Sequence, residues 1–102
     1  SIDQKYINSL HNWAFSKPEI AKLWIFGSRV KGTQRADSDI DIGFLINPIQ
    51  DATSQINFRE ITINEWKIEL SQLVPWQIHL EPAIQETRSY IDECSVLVFS
   101  RE

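Results

Sequence analysis

The segment Trp24 to Ile46, WIFGSRVKGTQRADSDIDIGFLI, constrains the fold more than any other stretch of this chain. Leu23-Trp24-Ile25-Phe26 is a continuous apolar run that reads as a short strand ended by Gly27. A second apolar run, Ile40 to Ile46, reads as another strand ended by Asn47-Pro48. A compact polar link joins them, so a small sheet forms here and the flanking segments must cover it.

Those segments supply helices and further strands. Ile2, Tyr6, Ile7, Leu10, Trp13 and Ala14 recur at helical spacing and predict a helix over roughly 2–15, closed where Pro18 disfavours helix at Lys17. Residues 49–60 show no clear period and read as loop or weak helix. Thr62 and Glu65 form a capping-box pattern, and Ile63, Trp66, Leu70 and Leu73 then make a helical stripe that Pro75 stops. WQIHLE, 76–81, alternates as a third strand. Pro82 is placed at the start of a helix running to about Glu93, and SVLVF, 95–99, reads as a final strand. There are no repeats or linkers, so residues 1–102 read as a single domain. The expected class is α/β (α+β), a small mixed sheet of about four strands flanked by helices.

Composition narrows the function. The net charge of −4 and pI near 5.1 argue against a broad basic surface and against direct polynucleotide binding. One cysteine, Cys94, leaves no internal disulfide and no thiolate cluster. No apolar run approaches the ~18 residues of a membrane span, and no basic-then-apolar leader opens the sequence, so the expected location is cytoplasmic.

The chemistry concentrates in the opening segment. A strand that ends in Gly27-Ser28 and turns into a short helix presents backbone N–H groups and a positive helix end, which suits a phosphate. Arg29, Lys31 and Arg35 surround that corner with positive charge. Asp39 and Asp41, two apart on a strand, point to one face while Ile40 and Ile42 anchor the other. Paired carboxylates repel unless neutralised, and a hard cation such as Mg²⁺ is the usual partner. Ser38 and Asp37 support the turn. The combination outlines a phosphoryl-transfer site for a metal-bound nucleoside triphosphate.

GSRVKGTQRADSDIDI, Gly27 to Ile42, resembles the signature of DNA polymerase beta-type nucleotidyltransferases. The order of elements, the length and ELSQLVPWQIHLEP, Glu69 to Pro82, resemble the minimal nucleotidyltransferases, single-domain proteins often paired with a HEPN-type helical partner. The resemblance implies a palm-like nucleotidyltransferase fold. It also implies transfer of a nucleoside monophosphate, with ATP the expected donor, to an acceptor hydroxyl. By the same resemblance Gly27 and Ser28 hold the β/γ-phosphates, with Arg29, Lys31 and Ser38 as further nucleotide contacts. Asp39 and Asp41 bind Mg²⁺ or Mn²⁺. A partner presents the hydroxyl, in a homo- or hetero-oligomer of toxin–antitoxin type.

The third strand departs from that family. Where its members carry an aspartate after a Pro-Trp pair, Pro75-Trp76-Gln77-Ile78-His79-Leu80-Glu81 has His79. Alternation puts Gln77, His79 and Glu81 on one face. Three readings stand: His79 coordinates the metal, favouring Mn²⁺ or Zn²⁺; Glu81, if the strand end bends toward the metals, takes over as the third catalytic, metal-binding carboxylate; or the activating arm is lost. The last gives the alternative function, a catalytically weakened nucleotide-binding or antitoxin-like module that pairs with a HEPN-domain ribonuclease. His11 is expected on the surface of the first helix, and Glu65, Glu69, Asp92 and Glu93 on solvated faces. The four tryptophans are expected in the core.

Overall fold

A computed structural model describes residues 2–27, 30, 32, 39–46, 52–83 and 95–101, with the backbone alone for 52–61. The described elements are α1 (Gln4–Phe15), β1 (Ile20–Phe26), β2 (Ile40–Ile46), α2 (Ala52–Ser71), β3 (Ile78–Pro82) and β4 (Ser95–Ser100). The four strands form one mixed sheet in the order β3-β2-β1-β4. β1 runs antiparallel to β2 and to β4, whereas β2 and β3 are parallel and joined through α2.

Register divides the sheet into two faces. Ile25, Ile42 and Leu80 lie in one row across β1, β2 and β3, and Leu23, Phe44 and Pro82 in the next. This face packs against Leu10, Trp13 and Ala14 of α1 and Trp66 and Leu70 of α2, forming the main core. Trp66 stands edge-on to both Trp13 and Phe44, at 5.4 Å between ring centroids in each case, so one side chain ties both helices to the central strand. Trp13, Trp24 and Trp66 are buried and Trp76 packs half-buried on the core, as expected of all four. The opposite face carries Phe26, Asp41 and His79 in one row and Trp24, Gly43 and Glu81 in the next. Trp24, Phe26, Leu45 and Ala83 make a small apolar cluster there, beside the carboxylates.

The helix ends follow from local chemistry. The Asp3 side chain accepts from the Lys5 N–H at the start of α1. At its other end Arg101 donates to the carbonyls of Ala14, Phe15, Lys17 and Ile20 at 2.8–3.2 Å. A guanidinium from the far end of the sequence therefore satisfies the carbonyls that α1 leaves open.

Several expectations change. α2 is one helix from Ala52, so Thr62 and Glu65 do not cap its start. No Gly or Pro interrupts 52–71, and a helix nucleated at the Trp66 stripe extends upstream at little cost. Pro82 ends β3 rather than opening a helix. β3 is an edge strand, and the Ala83 N–H donates to the Phe44 carbonyl, so the N–H that Pro82 lacks would have faced away from β2. The helix expected as far as Glu93 falls outside the described residues. His11, although exposed, is not idle surface. Its Nδ1 donates to the Val98 carbonyl at 2.9 Å, where β4 bulges against β1, and its ring packs edge-on to Phe99. Glu69 is not merely solvated either, since it accepts from Trp13 Nε1 at 2.9 Å and pairs with Lys17 at 2.6 Å.

Candidate functional site

Where β1 ends, Gly27 takes φ +82°, a left-handed conformation that suits glycine, and its carbonyl accepts from the Val30 N–H at 3.1 Å to close a tight turn. Antiparallel register sets Phe26 opposite Asp41, which brings the Asp41 carboxylate over Gly27. A Cβ at this position would collide with Asp41 Oδ2. The glycine therefore serves both the turn and the close approach of the acid, and the corner and the second aspartate touch.

On the other side of β2, parallel register sets His79 opposite Asp41. His79 Nδ1 lies 3.1 Å from Asp41 Oδ1, and Nε2 lies 3.2 Å from Glu81 Oε1. A neutral imidazole has one N–H and can donate to only one of these oxygens; a doubly protonated ring donates to both. Burial pushes the Asp41 carboxyl above its ordinary pKa. The hydrogen bond and charge of His79 pull it back, while the negative charges of Asp39 and Glu81 add to the rise. Such a carboxylate, crowded by like charge and partly removed from water, is one that a cation stabilises. The donor chemistry thus fits a divalent ion at Asp39 and Asp41.

Of the residues singled out from the sequence, the structure brings Gly27, Asp41, His79 and Glu81 together, with Asp39 close enough for its charge to act on Asp41. Ser28, Arg29, Lys31 and Ser38 lie outside the described residues. Among the described residues no three His, Cys, Asp or Glu side chains converge on one point, because the two nitrogens of His79 face different carboxylates. Phe26 and Trp24 flank the acids on the same face and were not singled out for it. Their apolar character alone gave no sign of which face each would take.

Comparison with known proteins bears on the family and the fold. Residues 8–101 match the sequence profile of the family described as polymerase beta, nucleotidyltransferase. Among solved structures, a toxin–antitoxin complex with AMP-PNP superposes with TM-score 0.66 at 19% identity, over 99% of this chain and 76% of that one. A toxin–antitoxin MntA–HpeT mutant with two aspartate-to-glutamate changes two residues apart superposes with TM-score 0.65 at 17% identity, over the same shares. A search of curated protein sequences finds no match. With the profile covering nearly the whole sequence, and the carboxylates, glycine corner and mixed sheet in place, the chain belongs to the polymerase beta nucleotidyltransferase family.

Proposed function

We propose that this protein transfers a nucleoside monophosphate from a nucleoside triphosphate, with ATP the expected donor, to a hydroxyl on a partner protein: the hydroxyl oxygen bonds to the α-phosphorus as the α–β phosphoanhydride breaks, and pyrophosphate leaves. The observation that carries the proposal is the contact between the Gly27 corner and the Asp41 carboxylate, which makes one seat of an anion site and a cation site. Phosphates approach the bare backbone at Gly27, with Ser28, Arg29, Lys31 and Ser38 as the further contacts on the same loop. Asp39 and Asp41 hold the divalent ion, Mg²⁺ or Mn²⁺. When bound, such an ion neutralises charge on the triphosphate and lowers the pKa of an attacking hydroxyl. The chain's own part is to fix Asp41 between Gly27 and His79, so that the acid does not swing away, and to keep apolar Phe26 and Trp24 beside it. The two toxin–antitoxin complexes among its structural relatives support a protein partner, for which a HEPN-type helical protein is the expected identity. Among the described residues no helix is long and apolar enough to cross a membrane.

One observation favours a second reading, a weakened module that binds nucleotide and its partner without efficient transfer. His79 stands where a third acid would serve, and it engages both Asp41 and Glu81. Incubation with α-labelled ATP, Mg²⁺ or Mn²⁺, and the product of the adjoining gene separates the two. Label on the partner, lost in Asp41→Asn, supports the transferase. No label from the wild type under either ion, with label appearing in His79→Asp, supports the weakened module.

A further inference from the structure

We propose that the edge strand β4 joins two copies of this chain into a closed dimer, whose two four-stranded sheets continue into one. The surface lies at the end of the sheet away from β3 and includes none of Gly27, Asp39, Asp41, His79 and Glu81, so the dimer and the transferase reading stand or fall separately.

The two edges of the sheet are built differently. β3 carries His79 and Glu81 and ends in Pro82, features that discourage a further strand. β4, SVLVFS, has no charge and no proline at any of its six positions. Val96 is 38% exposed and Leu97 53%, at neighbouring positions and therefore on opposite faces of the edge. In an antiparallel ladder alternate residues direct their N–H and C=O groups to the neighbouring strand and the rest away from it, so β1 takes only about half of what β4 offers. Among the described residues no strand pairs with the outer side of β4. An uncharged edge with apolar side chains on both faces is a template for one more strand.

Symmetry selects a second copy as that strand. A two-fold axis perpendicular to the sheet runs two β4 strands antiparallel and keeps each face continuous. In either direction SVLVFS presents serine, four apolar residues and serine, so the pair sets serine against serine and apolar against apolar. Six regular residues would leave the two ends on opposite faces and spoil that match. The bulge against β1 restores it: Ser95 and Ser100 share the face of Phe26 and Lys22, and Val96 and Phe99 share the face of Ile25 and Leu23. A bulge leaves its extra residue out of the ladder, and here His11 Nδ1 already serves the Val98 carbonyl. Leu97 of each copy comes to the centre, near its twin. Phe15, 68% exposed with its ring 6.3 Å from that of Phe99, extends the apolar surface beside the strand. Net charge points the same way: at −4, two copies repel over most approaches, and β4 brings no acid against an acid. Each copy offers one such edge, so assembly closes at two, with β3 at either end of the joined sheet.

Sedimentation velocity on the whole chain over a concentration series tests the dimer. The wild type should pass from monomer to dimer and no further. Leu97→Lys should raise the dissociation constant by at least about tenfold, because the two-fold axis brings two ammonium groups together. Ile68→Lys, at a residue of α2 that is 66% exposed, should leave it unchanged. Circular dichroism checks that both variants fold, and amide exchange in the wild type at Ser95, Val96 and Leu97 should slow as concentration rises, a readout that needs no variant. A monomer at every concentration overturns the proposal. So does a dimer that Leu97→Lys leaves intact or that Ile68→Lys weakens equally, and so does growth beyond two copies. A chain that is monomeric alone but binds the product of the adjoining gene, with binding lost in Leu97→Lys, gives the edge to that partner and overturns the second copy.

Discussion

Gly27 meets two demands at once, a left-handed backbone and an acid pressed against the place where a side chain would begin. Gly27→Ala is therefore expected to cost about 1–3 kcal/mol from the backbone alone, read by urea unfolding. The carboxylate must also give way, so transfer should fall by about a hundredfold, more than the lost stability explains at a temperature where the variant is folded. The glycine was legible in the sequence as a corner, and the two aspartates as a pair on one face. Their contact was not, because it depends on the register that sets Phe26 against Asp41, and register is a property of two strands rather than of either. His79 was legible as a departure from the pattern, with three readings left open. What the sequence could not show is that its ring spans two acids, since that requires the position of β3 beside β2.

Among the elements, β2 runs from Ile40 to Ile46 as its composition dictates, whereas β1 starts at Ile20, before the apolar run at Leu23, and β3 starts at Ile78 rather than at Trp76. Helix limits were less legible where no breaker marks them, as at the start of α2, and side chains that reach between elements were not legible at all. Glu69 is the clearest case. Its hydrogen bond with Lys17, then that with Trp13, holds its carboxyl below the ordinary value. A lowered carboxylate contributes stability above its unfolded pKa, and that contribution is lost as pH falls through the folded value. The wild type should therefore lose stability more steeply than Glu69→Gln as pH drops below about 4.5. With the Glu69 side chain 40% exposed, the difference should stay below about 1 kcal/mol, checked by unfolding curves at several pH values. Arg101 is a larger matter. It makes four hydrogen bonds to carbonyls at or near the end of α1 and packs its guanidinium 4.8 Å from the Phe99 ring centroid. Arg101→Ala should destabilise by about 2–3 kcal/mol in urea, and Arg101→Lys should recover only part, because one ammonium cannot reach all those carbonyls.

At the level of the whole molecule, the sheet separates tasks: the described helices pack against one face and the carboxylates line the other. Trp66 is the joint of the packed side, touching Trp13 of α1 and Phe44 of β2. Trp66→Ala is expected to cost about 3–5 kcal/mol, with fluorescence and circular dichroism reporting one coincident transition, since both helices lose the same contact. The mixed sheet with helical cover could be anticipated from the order of apolar runs. That the other face would set carboxylates beside a small apolar cluster could be anticipated only at Asp39 and Asp41. Arg101 has a further consequence, for which parts of the molecule can open separately. The carbonyls it serves close α1, and the strand just before it, β4, is the second neighbour of β1. β4 and the end of α1 are therefore expected to open as one unit in hydrogen exchange, and that opening leaves the strand that carries the glycine corner paired on one side only.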